Sequence, residues 1–189
     1  MAEDLITKQE YKSYAGINST NHDAEIELLI PKVSELIKTY CRRGFVDFID
    51  EAKVETFHGG FDKLILKETP VTQVISVERS INYGQTFTKL TKFTDWVQDG
   101  DYILPLASTK IFDTLINGYR VSYFAGYETV PEDLKLAVLD LITYYRKNDS
   151  AIHSSKAPGT NSVQIEYIST TSFPAHIKRI LDMYVADYT

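Results

Sequence analysis

One cysteine, Cys41, and one tryptophan, Trp96, stand among 189 residues. A lone cysteine excludes an intrachain disulfide and every multi-cysteine zinc or iron–sulfur site. Positive charge is also short, because 20 Lys plus Arg against 26 Asp plus Glu leave a net charge of −6. Binding nucleic acid across a broad face requires clustered cations to neutralise phosphates, and this balance argues against it. No apolar run approaches the ~18 residues that span a bilayer. Met1-Ala2-Glu3-Asp4 opens acidic rather than signal-like. These absences lead us to expect a soluble chain with no membrane association, made in a reducing compartment and not exported. There is no internal repeat and no low-complexity tract. What is plentiful is aromatic area, with 13 Tyr and 9 Phe, which suits cores and subunit interfaces.

Charge and hydrophobic period divide the chain at nearly the same points. Residues 1–51 carry 6 basic and 10 acidic groups, 52–127 carry 8 and 8, and 128–189 carry 6 and 8. In the first segment, Thr7-Lys8-Gln9-Glu10 is a capping box that opens a short helix ending at Gly16. A longer helix begins near Asn21 and Asp23. Ile26, Leu29, Ile30, Val33, Leu36, Ile37 and Tyr40 form its apolar stripe. Pro31 lies inside that stripe and predicts a kink rather than a break. Cys41-Arg42-Arg43-Gly44 closes the helix, with cations at its negative end and Gly44 as the cap.

The middle segment, 52–127, changes to strand period. Lys53 to Phe57 and Lys63 to Lys67 flank Gly59-Gly60, which predicts a hairpin. Val71 to Glu78 is a β-branched run bounded by Pro70 and Asn82-Tyr83-Gly84. Phe93 to Gln98 and Tyr102 to Leu106 flank Asp99-Gly100, and Leu115-Ile116 and Tyr119 to Phe124 flank Asn117-Gly118. Both dipeptides favour hairpin turns. With no helical crossovers between them, these strands predict an antiparallel meander. In 128–189, Pro131 and Glu132 open a helix with Leu134, Val138, Leu141, Ile142 and Tyr145 on its apolar side. Lys147 to Ser162 reads as a polar mobile loop, and Val163 to Ile168 as a short strand. Ser172-Phe173-Pro174 opens a last helix with Ile177, Ile180, Leu181, Tyr184 and Tyr188 on one side. The whole reads as one compact α+β domain. It is mostly an α-helical bundle, with an antiparallel β-hairpin or meander insertion and a C-terminal arm helix after the loop.

The chemistry-bearing residues do not assemble into a catalytic pattern. Cys41 beside Arg42 and Arg43 has the electropositive neighbours of a nucleophile, yet it ends an apolar stripe where a small buried residue belongs. His22, His58, His153 and His176 lack metal-ligand spacing. Gly59-Gly60 lacks the following Lys and Ser/Thr of a phosphate loop. Asp95, Asp99 and Asp101 fall short of the six or more oxygens that a calcium site needs. The expectation is therefore no catalytic residue, no metal and no cofactor. Arg42, Arg43, Arg146 and Lys147, with Tyr144 and Tyr145, are the compact basic spots. They lie at helix C-termini where cations stabilise the dipole, and they serve equally as intersubunit or DNA-facing charge.

Four stretches in order resemble tailed-phage head–tail connector proteins, also called adaptor or head-completion proteins. They are Leu5-Ile6-Thr7 through Asp23-Ala24, Ile37 through Phe45, Val121-Ser122-Tyr123-Phe124-Ala125-Gly126-Tyr127 with Val130 through Lys135, and Phe173-Pro174 with Ile177 through Tyr184. Together they run along the whole chain. Pro31 and the long 80–118 hairpin region depart from the pattern. The resemblance implies a non-enzymatic virion protein that forms a ring, usually of twelve copies, on the portal vertex. Such a ring extends the DNA channel and docks stopper or tail-completion proteins. Its implied partners are the portal protein, those stopper or tail proteins, further copies of itself, and passing genomic DNA without sequence-specific contact. Its implied place is the virion neck, after assembly in the host bacterial cytoplasm. Phe173, Ile177, Ile180, Leu181 and Tyr184 are the expected portal or neighbour contact, because an apolar face tethered through a polar loop suits an arm that orders on a partner. The alternative is a DNA-binding or packaging-associated accessory protein that uses Arg42, Arg43, Arg146 and Lys147.

Overall fold

A computed structural model describes residues 3–106, 111–147, 152–156, 163–167 and 173–186. The chain forms two compact units. One comprises Met1–Glu3, Arg42–Val130 and Ala186–Thr189, and the other comprises Asp4–Cys41 and Pro131–Val185.

The second unit is helical. Helix α1 (Lys8–Ala15) starts at the expected capping box: Thr7 Oγ1 accepts the Glu10 amide, and Glu10 Oε2 accepts the Thr7 amide at 2.7 Å. It stops at Gly16, whose φ of 67° is left-handed. Helix α2 (Asp23–Cys41) runs unbroken through Pro31, which sits on the exposed side. Its buried line is Ile26, Ile30, Val33, Ile37 and Cys41. The residue that leaves the helical region after α2 is Arg42, at φ 57°, not Gly44 as the sequence suggests. Helix α3 (Glu132–Lys147) buries Leu134, Ala137, Val138, Leu141 and Ile142. Helix α4 (Ala175–Asp182) packs against α2 and α3.

The first unit is built of strands β1 (Lys53–Phe57), β2 (Leu64–Ile65), β3 (Val71–Arg79), β4 (Thr88–Lys89), β5 (Trp96–Asp99), β6 (Tyr102–Pro105) and β7 (Tyr119–Ala125). They make a sheet in the order β1-β7-β3-β4 and a second in the order β2-β6-β5. All these ladders are antiparallel. Val77, Val121, Tyr123, Trp96, Ile103 and Leu64 lie in its buried core. β7 lies inside the sheet between β1 and β3, and it alternates buried and half-buried residues, so one of its faces points inward.

The α+β class and the antiparallel pairing hold, but the chain is not mostly a helical bundle. Among the described residues, nine strands accompany four helices. The expected simple meander is also replaced by long-range pairing. Asp99-Gly100 does turn the β5–β6 hairpin, whereas β1 pairs with β7 and β2 with β6, so Gly59-Gly60 closes no hairpin. The reason is steric. A Cβ on Gly59 would lie 1.7 Å from the Asp113 carbonyl oxygen, and the Gly59 and Gly60 amides donate to Leu115 and Phe112. This diglycine permits close backbone approach, not a turn. Leu115-Ile116 forms no strand, so Asn117-Gly118 leads into β7 without a hairpin partner before it.

Within the stretch read as a polar loop, β8 (Ile152–Lys156) pairs with β9 (Val163–Tyr167), which is the strand expected near Val163. The remainder of that loop, 148–151 and 157–162, lies outside the described residues, as does Tyr188.

Candidate interaction site

Helix α4 is amphipathic because Ile177 and Leu181 recur at i,i+4 among polar neighbours. Both are fully buried in the helical unit, and the Leu181 carbonyl accepts the Cys41 thiol at 3.7 Å. Cys41 is itself fully buried, which fits a core residue. Phe173 packs edge-to-face on Tyr40, with centroids 4.9 Å apart. The Tyr184 hydroxyl donates to Asp133 at 2.6 Å. Of the five residues expected to meet a partner, Phe173, Ile180 and Tyr184 are half-buried, whereas Ile177 and Leu181 anchor the helix. The outer side carries Ala175, His176, Lys178, Arg179 and Met183, all exposed.

Electrostatics fix this helix further. The Tyr40 hydroxyl and the Lys178 ammonium donate to the two oxygens of Asp182 at 2.5 and 2.6 Å. Lys178, then Tyr40, hold the Asp182 carboxyl below its usual range by hydrogen bonding to its charged form. His176 Nε2 lies 3.9 Å from Asp140 Oδ2.

The four basic candidates are divided between the two units. Arg146 sits 3.3 Å from Glu25 and donates to the Tyr11 hydroxyl, which also lies 3.2 Å from Thr143 Oγ1. Lys147 ends α3. In the other unit, Arg43 donates to the Thr69 hydroxyl and carbonyl, and Arg42 is exposed. Among the described residues, no group of three His, Cys, Asp or Glu side chains could hold a metal ion. Asp95 accepts the Thr91 amide, a turn role, and Asp101 accepts the amide of Val71, a residue distant in sequence. His58 accepts the Asn117 amide at 2.9 Å through Nδ1, as a loop residue does.

Sequence reasoning missed an apolar tip on the strand-rich unit. Ile81 and Tyr83 are 77% and 72% exposed, on a loop held by Ser80 and Asn82. The Ser80 amide donates to Gly118, which brings that loop beside exposed Ile116. Asn82-Tyr83-Gly84 signalled the turn but not the apolar side chains that it displays.

The comparisons with known proteins agree over nearly the whole chain. A head completion protein family model matches residues 4–186. The head completion protein of Escherichia phage T5 is 24% identical over 182 residues, covering 95% of this chain and 97% of that protein. A chain in the neck of an empty gene transfer agent particle, computed with C6 symmetry, shares the fold at TM-score 0.60 and 15% identity, over 98% of this chain and 91% of that one. A chain in the native particle's neck, computed with C12 symmetry, gives 0.51 and 13%, over 100% and 97%. With the family match running from residue 4 to residue 186, the chain belongs to the head completion protein family, structural proteins of the virion rather than enzymes.

Proposed function

We propose that this chain is the adaptor of a tailed-phage neck, a ring of twelve copies seated on the portal protein. The observation that carries this reading is the family match across residues 4–186, joined by folds shared with neck subunits in particles treated with C6 and C12 symmetry. In this reading the ring extends the DNA channel, offers a docking surface to stopper or tail-completion proteins, and forms in the host bacterial cytoplasm. Net acidity, −6 for each copy, suits a channel through which DNA slides without adhering, since like charge repels phosphate. The C-terminal helix is the portal or neighbour contact, with Phe173, Ile180 and Tyr184 reaching the partner and Ile177 and Leu181 holding the helix in place. Arg42, Arg43, Arg146 and Lys147 supply local charge between subunits or beside the DNA.

Native mass spectrometry of the full chain mixed with the portal protein encoded beside it tests this reading. A discrete complex of one portal and a fixed number of copies is the expected result. Two unmixed species at high concentration would refute the adaptor role and favour the accessory DNA-binding reading. Steeply salt-dependent binding to duplex DNA would then identify that role.

A further inference from the structure

Ile81 and Tyr83 stand on the turn between β3 and β4, and Ile116 stands on the segment that leads into β7; all three are exposed. Two contacts hold these segments together. The Ser80 amide donates to the Gly118 carbonyl at 2.8 Å, and a Cβ on Gly84 would lie 3.3 Å from that of Asn117. Within the turn, Ser80 Oγ accepts the Gly84 amide and Asn82 Oδ1 accepts the Thr86 amide, each at 2.9 Å. Tyr83 sits at φ 60°, a left-handed position that costs a bulky residue free energy. A fixed turn that holds large apolar side chains in water at such a cost has the character of a contact surface.

Charge narrows the choice of partner. Residues 80–88 and 114–119 contain no Lys, Arg, Asp or Glu. Phosphates and strongly charged surfaces gain nothing from such a tip, and an apolar recess is its complement. The helical unit of the same chain carries one. Helices α1 and α3 border a cleft of about 510 Å³, with buried Ile6, half-buried Leu139 and exposed Leu136 in its lining. Its polar lining includes Lys135, whose ammonium lies 3.1 Å from Glu10 and 3.2 Å from Glu132. Apolar walls beside carboxylates suit Tyr83, whose ring favours burial and whose hydroxyl can donate to an acid. Each copy has one tip and one cleft, on different units. A contact between unlike surfaces of identical copies is heterologous, and such contacts close into rings when the rotation allows.

We propose that the apolar tip of each copy, Ile81, Tyr83 and Ile116, docks in the α1–α3 cleft of the next copy around the ring. Leu136 and Leu139 then cover the tip, and Glu10 and Glu132 receive the Tyr83 hydroxyl. This inference rests on the ring of the proposed adaptor and names the two surfaces through which its copies meet.

Cross-linking between full-length chains bound to the portal protein tests it. One population carries Gln85→Cys beside the tip and another carries Gln9→Cys in the cleft lining, both at exposed positions. The fully buried Cys41 is a silent background. With a short bis-maleimide, the expected result is covalent dimers in the mixed ring and about tenfold fewer, or none, in either population alone. Ile116→Cys with Leu136→Cys is the replacement pair if the first set does not assemble. Leu136→Glu, at an exposed position, should weaken ring formation at least about tenfold while leaving the urea midpoint in place. A ring that forms without mixed cross-links from either pair overturns the tip-in-cleft contact while the adaptor reading stands. So do cross-links of equal yield in the single populations, or a ring that Leu136→Glu leaves intact. Absence of any ring from the unmodified chain and portal overturns both.

Discussion

Tyr40 on α2 donates its hydroxyl to Asp182 on α4 at 2.5 Å, while its ring receives the edge of Phe173 at a centroid distance of 4.9 Å. One side chain thus holds both ends of the C-terminal helix segment. Tyr40→Phe keeps the ring contact and removes the hydrogen bond. The expected outcome is faster amide exchange in 175–182, by no more than about tenfold, since one partly exposed hydrogen bond contributes modestly. Tyr40→Ala removes both contacts and should release the segment further. Equal exchange in wild type and Tyr40→Ala would show that Ile177 and Leu181 alone fix the helix.

The same site sets an acid response. Lys178 and Tyr40 hold the Asp182 carboxyl below its usual value of 3.8. A depressed folded-state value contributes stability above the ordinary carboxylate range and loses it as pH falls through the folded value. Exchange in 175–182 should therefore quicken below about pH 4, and Asp182→Asn should flatten that dependence. The effect is small and shrinks further in high salt, because the pair is exposed.

At high pH the strand-rich unit responds. Burial is the main cause that raises the Tyr123 hydroxyl well above its ordinary value of 10.0. Burial alone would lower Lys53, but hydrogen bonding and charge from Glu68, then Glu55, outweigh it and raise the ammonium above 10.5. Both groups keep protons in the folded state that the unfolded chain releases. The stability they confer is complete below about pH 10 and declines as pH rises past it. Urea melts at pH 9 and 11 should show this loss, and Tyr123→Phe should reduce it. That variant also leaves the Glu68 amide, which donates to the Tyr123 oxygen at 3.1 Å, without its acceptor. It should therefore cost about 1–3 kcal/mol at pH 7.

Local chemistry was legible in the sequence and long-range pairing was not. The Thr7–Glu10 box, the Gly16 stop, the α2 and α3 stripes and the Asp99-Gly100 turn each depend on residues a few positions apart. They appear in the structure as read, save that Leu36 and Tyr145, counted in the two stripes, are exposed. The partner of β1 depends on Tyr119 to Tyr123, more than sixty residues away, and no local period encodes that choice. Diglycine reads alike whether it turns a hairpin or admits a crossing carbonyl. Arg42 in the left-handed region defeats a rule that expects glycine there. The C-terminal helix was legible from its spacing. Its division into anchoring Ile177 and Leu181 and more accessible Ile180 and Tyr184 was not, because spacing marks the apolar side and not how deep each residue sits.

Gly59 and Gly100 separate the two uses of glycine. A Cβ at Gly100 meets nothing within 4 Å, at φ +56°, so Gly100→Ala should cost only the left-handed penalty, about 1–2 kcal/mol. At Gly59 the Cβ would strike the Asp113 backbone, which cannot yield as the end of a flexible side chain does. Gly59→Ala should cost about 3 kcal/mol or more. Denaturant midpoints at matched slopes would decide between them, and equal losses would disprove the close-approach role.

Assembly and stability should separate along α4. Leu181 is fully buried, so Leu181→Ala should destabilise the helical unit by about 2–5 kcal/mol. Ile180 and Tyr184 are half-buried, and their truncation removes less core. If they meet the portal or the neighbouring copy, Ile180→Ala combined with Tyr184→Ala should weaken ring formation at least about tenfold, the signature of an interface anchor. The midpoint of unfolding should fall less than it does for Leu181→Ala. The test measures both quantities on the same preparations, native mass spectrometry for assembly on the portal and urea melts for stability. A double variant that assembles normally, beside a Leu181→Ala chain that fails in proportion to its lost stability, would reduce α4 to a core helix and move the portal contact elsewhere. The exposed apolar tip of Ile81, Tyr83 and Ile116 would then be the next surface to alter, since those side chains stand on a hydrogen-bonded loop and contribute little to the core that carries the fold.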